Sequence, residues 1–149
     1  MMEKHILDNT VSSVLLNQNL GVLATTGEEY PYTSLVGFVP TEDMKNIIFA
    51  TMRQTRKYNN IKKHPRVSIL VNSSTNSTED FKDAAAITIM GEAVPCSGQE
   101  RKKMEDVYLK RFPFLEDFIK NPSCEIVIVK VDRYISVTKF QNVREIEII

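Results

Sequence analysis

The sequence lacks the features that mark several classes of protein. Its two cysteines, Cys96 and Cys124, stand far apart without a CxxC pattern, which fits a reducing cytoplasm. Nineteen basic residues balance nineteen acidic ones, so no overall field attracts nucleic acid or an anionic membrane. No apolar run approaches the roughly 20 residues needed to cross a bilayer, and the N-terminus carries no signal-like apolar core. We therefore expect a cytoplasmic protein with neither nucleic acid nor membrane as a partner.

Motifs for covalent catalysis and metal binding are absent as well. The glycine-rich dinucleotide motif and the P-loop do not occur. His5 and His64 have no recognisable motif partner for activating a serine or cysteine nucleophile, and metal-ligand spacing is missing. We therefore expect no metal site, and the sequence names no catalytic acid or base.

Short segments rich in β-branched and aromatic residues dominate what is present. With 149 residues and 42% hydrophobic content, the chain is expected to form one domain over 1–149. The strands follow mostly as hairpins, which favours a mainly β (α+β) fold with an antiparallel barrel and flanking helices over a doubly wound parallel sheet. The predicted strands are 21–26, 32–39, 47–51, 67–71, 86–94, 124–131 and 133–140, and the predicted helices are 8–18, 54–63 and 97–112, with another helical turn at 114–120.

Several local predictions accompany these elements. Gly91 within a strand predicts a bulge or a close backbone approach. The pair His64-Pro65 predicts the end of the second helix, because the residue before proline avoids helical geometry. Phe81 is the one candidate core residue of the polar loop 72–83. The aromatic residues Tyr134 and Phe140 are interpreted as ordinary core residues.

The densest candidate site is the segment from Phe49 to Ile61, where a strand end leads into a helix start. The segment carries two hydroxyls and three cations, which are Thr51, Thr55, Arg53, Arg56 and Lys57. Free N–H groups and the positive helix end favour an anion, and arginine and lysine add charge-assisted hydrogen bonds. This chemistry suits a phosphate held by side chains. The alternative is a solvated helix face, which the residues alone leave open.

Four segments carry a resemblance to a known family. They are 20–25 with 31–36, then 48–51, then 55–61 with 64–68, and 89–93, and their order and spacing resemble the pyridoxamine 5'-phosphate oxidase-like FMN-binding split-barrel family. This resemblance implies a six-stranded antiparallel split β-barrel that forms a homodimer with flavin at the interface. It also implies that Ser34, Leu35, Val36 and Gly37 line the flavin ring and ribityl chain, that Ala50 and Thr51 form the strand-end pair, and that Thr51, Thr55, Arg56 and Lys57 hold the phosphate.

The same resemblance limits the function that can be expected. The vitamin B6 oxidase of the family ends in a segment with arginine and histidine, whereas 143–149 holds no histidine, and Ser34 stands where that enzyme has a phosphate-binding arginine. We therefore expect an FMN-dependent oxidoreductase with an unidentified small-molecule electron donor or acceptor. The alternatives are a flavin-binding electron carrier without turnover, or a haem- or F420-binding member of the same fold. Packing of Phe140 or Tyr134 on the partner's flavin is a further alternative.

Overall fold

The computed structural model describes residues 9–149 and shows five α-helices and seven β-strands in that range. The helices are α1 (Asn9–Asn17), α2 (Arg56–Lys63), α3 (Asp80–Asp83), α4 (Gly98–Arg111) and α5 (Glu116–Lys120), with a 3₁₀ turn at Pro113–Leu115. The strands are β1 (Leu20–Thr26), β2 (Pro31–Pro40), β3 (Asn46–Met52), β4 (Arg66–Asn72), β5 (Ala85–Pro95), β6 (Cys124–Thr138) and β7 (Asn142–Glu147). The predicted helix start at Asp8 and the histidine His5 lie outside the described residues.

All strand pairs are antiparallel, and six of the seven strands close into a barrel. The order across the sheet is β3-β2-β1-β4-β5-β6-β7, and β3 also pairs with β6, which completes the ring. Strand β7 extends the sheet beyond β6. This arrangement confirms the predicted antiparallel split barrel with flanking helices.

Two apolar clusters stabilise the barrel. Along β5 the inward residues Ala85, Ile87 and Ile89 are buried and alternate with half-buried neighbours, as expected for a strand with one face on a core. They belong to the cluster that fills the barrel. A second cluster lies between the other face of β3 and β6 and the helices, with Ile48 and Ile126 packed among Tyr108, Phe112 and Ile119.

The prediction of two closing strands at 124–131 and 133–140 is wrong. Residues Cys124–Thr138 form the single strand β6 of 15 residues, and the chain turns only at Lys139 and Phe140, which both have positive φ. Asp132 is exposed, so its polar side chain points to solvent without interrupting the strand. The seventh strand is β7, which pairs with Arg133–Thr138.

The other local predictions have mixed outcomes. The register between β5 and β6 shifts at Met90/Gly91, which confirms the bulge, and α2 ends at Lys63 with His64 as its C-cap, which confirms the helix stop. Tyr134 is fully buried and confirms its core assignment. The core assignments of Phe81 and Phe140 are wrong, since the two rings stack on each other with centroids 5.1 Å apart while both residues remain mostly exposed.

The barrel opens between β2 and β3, and this opening positions the candidate site. The two strands pair only through Phe38–Phe49, Val39–Ile48 and Pro40–Ile47. The earlier part of β2 pairs with β1 from Pro31 to Gly37. One edge of that segment therefore has no paired strand among residues 9–149. Among residues 9–149, no helix combines the length and apolar character that would let it span a membrane.

Candidate functional site

The site is built where β3 leaves the barrel and leads into α2. Beyond the Phe38–Phe49 pair, the antiparallel register would place Gly37 across from Ala50 and Val36 across from Thr51, but pairing has ended there. The two predicted segments, Ser34–Gly37 and Ala50–Thr51, thus flank the opening of the barrel. After β3 ends at Met52, three residues lead to the first turn of α2.

Thr55 is the N-cap of α2, and Thr51 lies directly beneath it. The Thr55 Oγ1 accepts a hydrogen bond from the Tyr58 backbone N–H at 3.3 Å and is 2.8 Å from the Thr51 Oγ1. The Met52 carbonyl oxygen accepts from Thr55 Oγ1 at 2.9 Å. The N–H groups of Arg56 and Lys57 begin the helix, so no preceding turn supplies them with a carbonyl acceptor. These two N–H groups and the helix dipole make the start of α2 favourable for an anion.

The three predicted cations separate into two groups. Arg53 donates from Nε and from one terminal nitrogen to Glu125 Oε2, at 3.0 and 2.8 Å, and also to the Pro122 carbonyl oxygen at 3.1 Å. Its charge is therefore matched by a carboxylate. Arg56 is exposed and Lys57 half-buried, and both begin the helix whose free N–H groups favour an anion. Of the three predicted cations, these two are not paired with a carboxylate among residues 9–149 and could bond the anion.

Ser34 contributes an unsatisfied polar atom. Its Oγ is buried and has no hydrogen-bond partner among residues 9–149. A buried hydroxyl without a partner is costly, so such a group commonly marks a place where a ligand or water completes the bonding. Because the side chains of a strand alternate in direction, Ser34 shares its face with the buried Val36 and Phe38. Its hydroxyl is thus held on the inner side of β2, next to the opening.

The remaining predicted residues occupy different surroundings. Leu35 points outward and is 66% exposed, whereas Val36 is buried. The Gly37 carbonyl oxygen accepts a hydrogen bond from the Tyr108 hydroxyl at 3.1 Å, and burial raises the pKa of Tyr108 to about 12.

Ala50 packs against the second apolar cluster. Thr51 is only 3% exposed, so it supports Thr55 from below instead of presenting a hydroxyl to the surface.

A separate groove of about 650 Å³ is lined by residues of β1, β4, β5 and β6. It contains two cations, Arg66 and Arg133, but also the carboxylates Asp132 and Glu147. Arg133 pairs with Glu145 at 2.8 Å. Because the charges in this groove are balanced, the start of α2 is the better candidate for an anion.

Sequence reasoning missed the residues that surround the cations. Glu125 is 72 positions from Arg53, and no motif connects them. The Arg56 guanidinium lies over the Tyr32 ring, with its central carbon 5.1 Å from the ring centroid, and Asn60 bonds to Thr25. Arg56 and Asn60 are four positions apart and so lie on one face of the helix. This spacing alone could have indicated that both residues contact the same neighbouring element.

Comparison with known proteins gives a family and a fold. A family model described as "Pyridoxamine 5'-phosphate oxidase" matches residues 7–138. No curated protein matches the sequence.

Solved structures share the fold at low sequence identity. A heme binding protein from Mycobacterium smegmatis has a TM-score of 0.80 at 19% identity, covering 90% of this chain and 55% of that chain, so this chain spans about half of its length. General Stress Protein 26 from Bacillus anthracis has a TM-score of 0.69 at 17% identity and covers 99% of this chain and 98% of that one. A FAD-binding protein from Mesorhizobium loti has a TM-score of 0.70 at 15% identity and covers 85% and 89%.

Proposed function

The chain belongs to the pyridoxamine 5'-phosphate oxidase family, and from this premise we propose that it binds FMN and acts as an FMN-dependent oxidoreductase on a small molecule. The observation that carries the proposal is the combination of an anion-binding helix start with a buried, unpartnered hydroxyl beside an open strand edge. FMN consists of a polar ring system joined by a chain to a phosphate. The helix start suits the phosphate, and the buried hydroxyl suits a polar atom of the ring.

The phosphate subsite consists of the first turn of α2. Arg56 and Lys57 supply charge, their backbone N–H groups supply two further donors, and Thr55 fixes the helix start through its bond to Tyr58. Thr51 holds Thr55 from beneath. Because Arg53 is bound to Glu125, we assign no phosphate contact to Arg53.

The ring subsite consists of the β2 segment from Ser34 to Gly37. The Ser34 hydroxyl is oriented by its buried position and is available to bond a polar atom of the ring. The Tyr108 hydroxyl donates to the Gly37 carbonyl oxygen and so holds the end of this segment in place. Flavin bound here supplies the redox chemistry, and the protein supplies binding and orientation.

Two charge-removing variants test the phosphate subsite. Replacing Arg56 or Lys57 by alanine should weaken FMN binding by roughly tenfold to a hundredfold, which corresponds to ~1.5–3 kcal/mol for a charged hydrogen bond. Riboflavin lacks the phosphate, so its affinity should change little. Fluorescence quenching of each flavin during titration measures both dissociation constants.

Lys62→Ala is the matched control, because it removes the same charge from the other end of α2. This variant should leave the preference for FMN over riboflavin intact. Equal weakening of FMN and riboflavin by Arg56→Ala would place the phosphate elsewhere.

An absorption spectrum of the protein mixed with FMN, haem or F420 separates the cofactor alternatives. His64, the one histidine among the described residues, is exposed at the end of α2, and this position offers no enclosed haem pocket. We expect a bound-flavin spectrum, and a haem spectrum with no response to FMN would contradict the proposal.

The proposal includes a homodimer in which each flavin contacts both chains. The outer apolar face of the sheet supports it. Cross-strand pairing places Leu35 beside Val22, Val22 beside Leu70, and Leu70 one strand away from the Thr88–Ile135 pair. Large apolar side chains on this face are exposed, including Leu20, Leu35, Leu70 and Val143. A contiguous exposed apolar surface of this kind marks an interaction site.

A further inference from the structure

One face of α2 contacts the hairpin formed by β1 and β2. Arg56, Asn60 and Lys63 fall on this face, because residues three and four positions apart in a helix are neighbours on its surface. Arg56 lies over the Tyr32 ring at 5.1 Å from the centroid. Asn60 Nδ2 donates to Thr25 Oγ1 at 3.0 Å. Lys63 and the Glu28 carboxylate form an ion pair at 2.9 Å.

These contacts differ in how strongly they fix the position of α2 against the hairpin. The Lys63–Glu28 pair is exposed on both sides, with side-chain exposures of 62% and 79%, and such pairs stabilise little. Thr25, by contrast, is 3% exposed, and Asn60 is half-buried. A hydrogen bond in this partly buried position constrains the helix more than the surface ion pair does.

Thr25 connects the helix to β2. Its Oγ1 accepts from Asn60 and donates to the Tyr32 carbonyl oxygen at 3.4 Å. The same residue, Tyr32, places its ring beneath the Arg56 guanidinium. A guanidinium over an aromatic face is attracted by the negative face of the ring. The route from Asn60 through Thr25 and Tyr32 therefore ends at a residue of the phosphate subsite.

This route also connects the two halves of the candidate site. Tyr32 and Ser34 lie two positions apart on β2 and thus share a face of the strand. The helix that carries the phosphate donors is consequently tied to the strand that carries the ring-facing hydroxyl. Their relative position is set by protein contacts before any ligand arrives.

We propose that Asn60 is a positioning residue of the phosphate subsite: through Thr25 and Tyr32 it holds Arg56 where the phosphate binds. The inference rests on the proposed function, because the phosphate is that of FMN. Asn60 touches no ligand in this proposal. It acts through Arg56.

The first experiment compares Asn60→Ala with Asn59→Ala, a matched asparagine that is exposed on the same helix. Asn60→Ala should weaken FMN binding about fivefold, the loss expected for a single hydrogen bond, and should leave riboflavin binding within about twofold. Asn59→Ala should change neither affinity. A purely structural role for Asn60 would weaken both flavins together.

The second experiment repeats Asn60→Ala in the Arg56→Ala background. If Asn60 acts through Arg56, its effect on FMN should disappear there, because the two residues are coupled. An undiminished effect in that background would overturn the proposal.

Two further variants keep the test decisive if Asn60→Ala fails to fold. Thr25→Val removes the hydroxyl that bonds Asn60 and should reproduce the selective loss of FMN affinity. Tyr32→Phe keeps the ring and should bind FMN like the wild type, whereas Tyr32→Leu should weaken FMN selectively. Equal FMN affinity for Tyr32→Leu and the wild type would contradict the inference.

The result also separates this inference from the proposed function. A wild-type protein that binds FMN, with selective loss in Arg56→Ala but none in Asn60→Ala or Thr25→Val, would overturn only the positioning role. A wild-type protein that does not bind FMN would overturn both.

Discussion

At the scale of single residues, the proposed phosphate subsite at the start of α2 combines neighbouring residues that have different partners. Thr55 is the helix cap, and Thr51 supports it from a buried position. Glu125 binds Arg53 and so reduces the free charge of the segment to that of Arg56 and Lys57. Two cations match the charge of a phosphate monoester near neutral pH.

A residue-scale prediction concerns the pH dependence of stability at Tyr108. Burial raises the pKa of Tyr108 to about 12, so the folded state keeps the proton that the unfolded chain releases near pH 10. The free energy of unfolding should therefore decline with pH in the interval between about pH 10 and about pH 12, by up to ~1.4 kcal/mol per pH unit for this group.

Urea unfolding of the wild type and Tyr108→Phe between pH 9 and pH 12 measures this effect. The variant should show a smaller decline, although some decline should persist because burial also raises the pKa values of Tyr134 and Cys96. Identical slopes for the two proteins would show that the Tyr108 hydroxyl does not resist ionisation in the fold.

The site residues differ in how far the sequence could predict them. The presence of α2 and its end were predictable because the His64-Pro65 stop is a local signal, whereas its start was predicted at Gln54 and lies at Arg56, after the N-cap Thr55. The pairing of Arg53 with Glu125 was not predictable, since the two residues are far apart in sequence and meet only because β3 and β6 are neighbours in the barrel. The unsatisfied Ser34 hydroxyl was also unpredictable, because burial and the missing partner depend on the whole fold.

At the scale of elements, the bulge at Gly91 yields a stability prediction. A methyl group at this position would overlap the Lys130 carbonyl oxygen and approach Val129 Cγ1 to 2.9 Å. Backbone cannot move aside as a flexible side chain can, so Gly91→Ala should destabilise the protein by ~1–3 kcal/mol, the usual cost of overpacking. Chemical denaturation measures the change, with the exposed neighbour Glu92→Ala as control. An unchanged free energy of unfolding for Gly91→Ala would show that β6 can shift at the bulge.

The strands differ in how far the sequence could predict them. The β1–β2 hairpin was predictable because turn residues at 27–31 separate two β-rich segments. The unbroken length of β6 was not, because Asp132 looks like an interruption when its exposure is unknown. Turn formation at Lys139 and Phe140 was hidden too, since neither residue type favours positive φ.

At the scale of the whole molecule, the outer apolar face predicts a dimer. Leu70→Glu would place a charge within that face and should shift the protein from dimer to monomer in sedimentation equilibrium. Leu16→Glu is the matched control, because Leu16 is also exposed but lies on α1. A wild-type protein that is monomeric when loaded with FMN would contradict the shared site.

Binding of the FMN phosphate at the start of α2 is open to a direct measurement. Equilibrium titration of the wild-type protein with FMN and with riboflavin, followed by fluorescence quenching, gives the two affinities. We expect saturable FMN binding that is at least about tenfold tighter than riboflavin binding, because Arg56 and Lys57 contact the phosphate through charged hydrogen bonds. No quenching by FMN, or equal affinity for the two flavins, would contradict it.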